Sequence, residues 1–162
     1  MAIGSLNAAL LSTYGIGEEE EMAKELEAAW LNASSYSIYK NWPGGIVEGL
    51  FFESGLYNSA PLRDTLHELY KGRTIKRHLE IGATNFLNAS FTNFEENWPT
   101  DVLLDALVAS TALPMILPPK DMLDSTWFEG SAVWAVDVAS AINRCAEKVP
   151  LKNIIVDAVI SA

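Results

Sequence analysis

The chain holds one cysteine, Cys145, so no disulfide can close within it and no cysteine-rich metal site can form. Its fold must be held by burial, and the lack of cross-links points to a reducing setting. Histidine is nearly as scarce. His67 and His78 lack metal-ligand spacing, so both are read as surface or packing residues, and no metal or other cofactor is expected. No apolar run reaches the about 18 residues of a membrane-crossing helix. No basic stretch precedes the apolar residues 8–11, so a signal peptide is not expected and a cytoplasmic location is favoured. Positive charge is also in short supply: 11 Lys and Arg stand against 21 Asp and Glu, a net charge of −10. That balance argues against a nucleic-acid partner, whose phosphates need clustered cations. It argues equally against anionic membrane surfaces, but leaves neutral and zwitterionic lipids open.

What the sequence has is apolar surface. Of its 162 residues, 49% are hydrophobic, enough for one domain with a sizeable core. The four glutamates at 18–21 read as a solvated helix start, where negative charge suits the helix dipole. After them Met22, Leu26, Ala29, Trp30 and Ala33 recur at helical spacing, as one buried face. Residues 34–60 are rich in aromatics and turn formers and read mostly as loop, with a turn at 41–45. Leu62, Leu66 and Leu69 predict a helix over 61–70, ended by Gly72. Leu79, Ile81 and Ala83 alternate with polar or small residues, which predicts a strand, continued by a strand or hairpin over 86–94. Thr100 is read as the cap of a largely buried helix over 101–113. Asp137 is read as the cap of a helix marked by Val138, Ile142, Cys145 and Val149 and ended by Pro150. Residues 153–160 read as a strand buried on both faces. Strands among helices predict an α/β sandwich.

Two stretches carry the chemical signal. Ile3-Gly4-Ser5-Leu6-Asn7-Ala8-Ala9 matches the second half of a Gly-x-Ser-x-Gly elbow, in which a serine sits on a sharp turn between strand and helix. Placing the final glycine on Gly4 puts Ala2 in the serine position, and Ser5 one residue too far along. Alone, the heptapeptide is equally readable as any helix start. Further along, Ala109-Ser110-Thr111-Ala112-Leu113-Pro114 is followed by Pro118-Pro119 and by Trp127-Phe128-Glu129-Gly130-Ser131. These pieces, in this order, resemble the Ala-Ser-x-Ala-Leu-Pro, Pro-Pro and Asp-Gly-Gly segments of patatin-like phospholipases. Phe52-Glu53-Ser54-Gly55-Leu56-Tyr57 with Pro61-Leu62, and the run from Val133 to Asn143, resemble the segments of that family at the same places.

The resemblance implies a three-layer α/β/α sandwich over 1–162 that lacks, within these residues, the family's glycine-rich loop and elbow strand. It also implies a serine–aspartate dyad without histidine. Ala2 then stands in the nucleophile slot and has no hydroxyl to acylate. Glu129 stands in the acid slot, one methylene longer than aspartate, and a displacement of roughly 1 Å at a base can cost about 100-fold. Glu129 is equally readable as a solvated turn carboxylate. Gly4, Gly130 and Ser131 would shape the elbow and the acidic turn, with serine disfavoured at 131 if that position needs positive φ. The glycine-rich loop supplies oxyanion donors, each worth roughly 3 to 4 kcal/mol. Three functions follow as alternatives: a catalytically silent lipid acyl hydrolase relative, a piece of a working hydrolase, and a lipid-binding or interaction module that pairs with itself or a partner through an exposed sheet edge. The expected ligand is a lipid acyl chain. The aromatics from Tyr36 to Tyr57 read as the wall of its groove or as a satellite cluster under a loop.

Overall fold

Alternating side chains build the sheet. In a computed structural model that describes residues 2–159, β1 (Glu80–Asn85) and β2 (Phe91–Glu95) form an antiparallel hairpin. β3 (Lys120–Met122) and β4 (Ser125–Glu129) form a second, closed by Leu123 and Asp124 at φ 52° and 53°. Two central residues at positive φ are the signature of a two-residue turn whose twist matches that of the strands. β4 pairs with β1, giving the order β2-β1-β4-β3, antiparallel throughout.

Strand alternation assigns the two faces. Ile81 and Ala83 of β1, Phe94 of β2 and Trp127 of β4 share one face, and all four are buried. The indole of Trp127 meets the ring of Phe94 edge-on at 5.2 Å. Covering this face are α6 (Thr100–Thr111) and α1 (Ile3–Ser12), through Leu103, Leu104, Leu107 and Ala9, while α5 (Ala60–Tyr70) packs on α6 and adds Leu62 and Leu66 to the same core. Glu80 and Glu95 point the other way, toward α7 (Val138–Ala146), whose Arg144 reaches both. Helices thus lie on both faces of a mixed α/β structure.

Several expectations change on contact with the structure. The run 34–60 is mostly turn and loop as read, with the Gly45 amide donating to the Trp42 carbonyl at 2.8 Å in the expected turn, but it also contains two short helices, α3 (Ser35–Ile38) and α4 (Gly45–Phe51). Short helices of 4 and 7 residues carry too little periodic pattern to be read from sequence. Pro99, not Thr100, occupies the cap position of α6. The apolar face read in α2 (Glu19–Asn32) is not core, since no residue of that helix is fully buried. The late strand is absent. Residues Leu151–Asn153 form a 3-10 turn, and 154–159 run on without a strand partner, Ile155 being 87% exposed. β propensity needs a neighbouring strand to become structure, and among the described residues none takes this run; residue 160 lies outside them.

The glutamate run is more than a solvated helix start. Glu18 pairs with Lys76 at 2.9 Å and Glu19 with Arg77 at 2.6 Å, so the start of α2 is tied to the approach to β1. The carboxyl of Glu18 is held low first by the Gly15 amide and then by Lys76.

Candidate active site

Ala2 is the cap residue of α1 and holds φ 53° and ψ −123°. Residues with a Cβ avoid that region, and structures that enforce it do so at a cost of about 1–3 kcal/mol. The carbonyl of Ala2 accepts the Ser5 amide at 2.9 Å, which starts the helix. Strain at the residue that leads into a helix is one feature of a nucleophile elbow, which also needs a strand before the turn; residue 1 lies outside the described residues. Gly4 is the second residue of α1, and a Cβ added there would meet nothing within 4 Å.

Ser5 does not face the same space. It is 4% exposed, and its Oγ lies 2.8 Å from the Oγ of Ser110, itself fully buried in α6. The contact spans 105 positions and locks the first helical turn onto the segment that carries Ala109-Ser110-Thr111. Nothing local in the sequence indicates it.

Glu129 is the last residue of β4, 8% exposed, and so is no solvated turn carboxylate. Its register partner is Ala83, which places its side chain on the face covered by α1 and α6. Its amide donates to the carbonyl of Ala112 at 3.2 Å, tying β4 to the end of α6. Gly130 and Ser131 follow in the 3-10 turn Gly130–Ala132, whose Gly130 carbonyl accepts the amides of Val133 and Trp134. Ser131 is not among the residues with positive φ, so the turn accommodates a serine there.

Ala2 and Glu129 border one cavity of about 350 Å³, a size suited to a small ligand. Leu6 and Leu10 of α1, Leu26 and Trp30 of α2, Leu62, Leu66 and Leu69 of α5, and Leu113, Ile116 and Leu117 after α6 form most of its wall. The apolar stripe of α2 thus faces a cavity rather than the core. Among the described residues Glu129 is its only charged lining residue. Polar groups there are few: Trp30 donates its ring N–H to Asn7 Oδ1 at 2.8 Å, and Thr111 turns its hydroxyl back onto the Val108 carbonyl.

The aromatics between Tyr36 and Tyr57 do not line this cavity; Ser37 and Ile38 do. Tyr39 and Tyr57 instead stack on each other at 4.6 Å, while Tyr36, Phe51 and Phe52 stand in solvent. His67 lies in the last turn of α5, and His78 is exposed with its Nδ1 2.6 Å from Glu96. Asp137 caps α7, accepting the Ser140 amide at 3.1 Å and the Asn93 side chain at 3.0 Å. No group of three or more metal-ligating side chains occurs among the described residues. No described helix is long and apolar enough to cross a membrane.

Arg144 was missed in the sequence. Its guanidinium lies 2.6 Å from both Glu95 and Glu96 and 3.8 Å from Glu80. Partial burial pushes the carboxyl of Glu96 up, but His78, the Leu79 amide and Arg144 together outweigh it and hold it at about 2. Glu80 has only the more distant arm of Arg144 and moves the other way, raised chiefly by burial. An arginine on an otherwise half-exposed helix gives no sequence signal that three strand-end carboxylates converge on it.

No curated protein matches the chain. A model of the patatin-like phospholipase family matches residues 2–142 of 162. That span starts at the strained cap residue, passes through the Ser110 helix and the acidic turn, and ends within α7, so the matched residues are the ones that build the cavity. The chain belongs to the patatin-like phospholipase family.

Proposed function

We propose that this chain is a catalytically silent relative of the lipid acyl hydrolases, whose cavity accepts an acyl chain and does not cleave it. One observation carries the reading: an alanine holds the strained elbow position on the rim of an apolar cavity whose only described charge is Glu129. A methyl group cannot form an acyl-enzyme, whatever sequence stands upstream. An apolar wall with few polar groups suits a hydrocarbon chain.

The purified chain is expected to hydrolyse p-nitrophenyl butyrate no faster than buffer, and a fluorophosphonate probe is expected to label no residue. A medium-chain fatty acid is expected to perturb the fluorescence of Trp30, which lines the cavity, with the change lost in Trp30→Phe. Labelling at any residue would overturn the silent reading, and an unaltered Trp30 signal would overturn the binding.

A second reading is favoured by the strained backbone at Ala2 and the burial of Glu129: the chain is a piece of a serine–carboxylate hydrolase that lacks the nucleophile hydroxyl at Ala2 and, within these residues, the oxyanion donors of the glycine-rich loop. Ala2→Ser in a chain extended upstream by the glycine-rich loop then yields ester hydrolysis, and Glu129→Gln in that background removes it. A folded, extended Ala2→Ser protein without turnover ends this reading.

A further inference from the structure

A second cavity, of about 220 Å³, lies toward the C-terminal end of α1 and shares no wall residue with the first. Its apolar wall is buried: Leu79 and Ile81 from the start of the sheet, and Leu103, Leu104 and Leu107 from α6. Its charged groups are occupied within the fold. Arg73 gives its Nε to the Leu69 carbonyl at 2.7 Å and its two terminal nitrogens to Glu25. Glu96 is held by Arg144 and His78, each at 2.6 Å, and by the Leu79 amide at 3.1 Å. Thr13 donates its hydroxyl to the Leu10 carbonyl at 2.8 Å. Tyr70 is the exception. It is the last residue of α5 and 8% exposed, and its Oη is buried with no hydrogen-bond partner among the described residues. Burial raises the phenol well above its usual range, so the group keeps its proton and stays neutral. Folded proteins seldom leave a buried hydroxyl unpaired, and one on a cavity wall points to a partner that enters the cavity.

We propose that this second cavity binds a compact neutral molecule, about one ring in size, through a carbonyl or similar acceptor that takes the Tyr70 hydroxyl proton. Size sets the first limit. A dry cavity of about 150 Å³ admits benzene, so 220 Å³ holds one ring with a short substituent. Charge sets the second. Both charged wall residues already face partners of opposite sign, so an ionic ligand would be buried without a counter-ion. Polarity sets the third. The unspent donor on the wall is one phenol, so one acceptor on an apolar body satisfies it. The site stands apart from the acyl-chain reading of the first cavity and does not depend on it.

Titration of the full chain with acetophenone, followed by protein-observed NMR, tests the proposal. Isopropylbenzene, of the same shape but without an acceptor, is the control probe. In wild type, acetophenone saturably shifts the Trp98 indole N–H and the Thr74 and Ile75 amides, all on the wall. Its methyl group gives nuclear Overhauser contacts to the Tyr70 ring. Tyr70→Phe keeps the ring, removes the hydroxyl and lowers acetophenone affinity at least about fivefold. The affinity of isopropylbenzene is not lowered by the same change. Far-UV circular dichroism confirms that the variant is folded. The Trp30 indole N–H reports the first cavity separately. Shifts confined to Trp30, or absent everywhere, overturn the second site. A Tyr70→Phe chain that binds acetophenone as wild type does, or that loses both probes alike, overturns the hydrogen bond that defines the ligand. Should the variant fail to fold, the wild-type contacts decide: a saturable shift at Trp98 without contacts to Tyr70 overturns the proposal, and contacts to Tyr70 support it.

Discussion

Ser5 and Ser110 show how much a single small residue can fix. Their hydroxyls share a hydrogen bond at 2.8 Å, with 4% and 0% exposure. Removing one partner leaves the other buried with a lost bond, at a cost of about 1–3 kcal/mol, whereas removing both is far milder. Ser5→Ala is therefore expected to lower the denaturation midpoint, and Ser110→Ala to do the same. The double variant should be clearly less destabilised than the sum of the two. A strictly additive double variant would mean that the two hydroxyls do not act on each other. Gly55 is fixed by space rather than polarity: a Cβ would lie 2.6 Å from the Pro118 nitrogen and 2.7 Å from the Leu117 carbonyl carbon. Neither backbone atom can rotate away, so Gly55→Ala is expected to destabilise by about 1–3 kcal/mol. A thermal melt unchanged from wild type would refute that. The start of α1 right after Ala2, by contrast, was legible in sequence because small residues around a turn are a local pattern. Ser5 was not, because its partner is 105 positions away.

Like α2 and α3, α7 has no fully buried residue. It is tied to the sheet by polar contacts: Arg144 to Glu80, Glu95 and Glu96, and Asp137 to Asn93. Glu96 carries the pH dependence. Its folded pKa, about 2, lies below the ordinary 4.5, so its contribution is fully present above that ordinary value and is lost as pH falls toward about 2. Glu80, raised instead, acts in the opposite sense and more weakly. Arg144→Met is expected to lower the denaturation midpoint at neutral pH, and the gap to wild type should close as pH falls from about 4.5 to about 2. A gap independent of pH would detach Arg144 from Glu96. Elements with a clear period were readable in sequence: α5, α6 and the β1–β2 hairpin fall where spacing puts them, and α7 starts there but ends at Ala146, short of the expected Val149 and Pro150. The run 153–160 was misread because an apolar segment states a preference for burial but not what buries it. The stripe on α2 misled for a related reason, since a cavity wall and a core wall share one pattern.

At the scale of the whole molecule, the cavity is where sequence reading and fold meet. Ala2 and Glu129 are far apart in the chain, and only the order of the family-like segments brought them together on paper. In space, the register Ala83–Glu129 and the packing of α1 over the sheet bring both residues to one rim. The size and dryness of that cavity had no sequence signal, because its wall is contributed by helices from five separate stretches of chain. The same lack of local signal applies to the balance that keeps the molecule dispersed. Exposed apolar residues on α4 and 113–116 favour association, and a net charge of −10 opposes it. That repulsion vanishes near the isoelectric point, about 4.5. The fold should outlast the charge, since Glu96, held at about 2, keeps most of its contribution there, and Glu18, Glu19 and Asp137 are also held below their ordinary values. Light scattering is thus expected to rise as pH is lowered from 7 to about 4.5 while circular dichroism stays constant, and to rise much less for Phe51→Ser/Phe52→Ser. If scattering rises equally in that variant, the association runs through some other surface, such as the free edge of β2. If circular dichroism is lost first, unfolding and not charge neutralisation drives it.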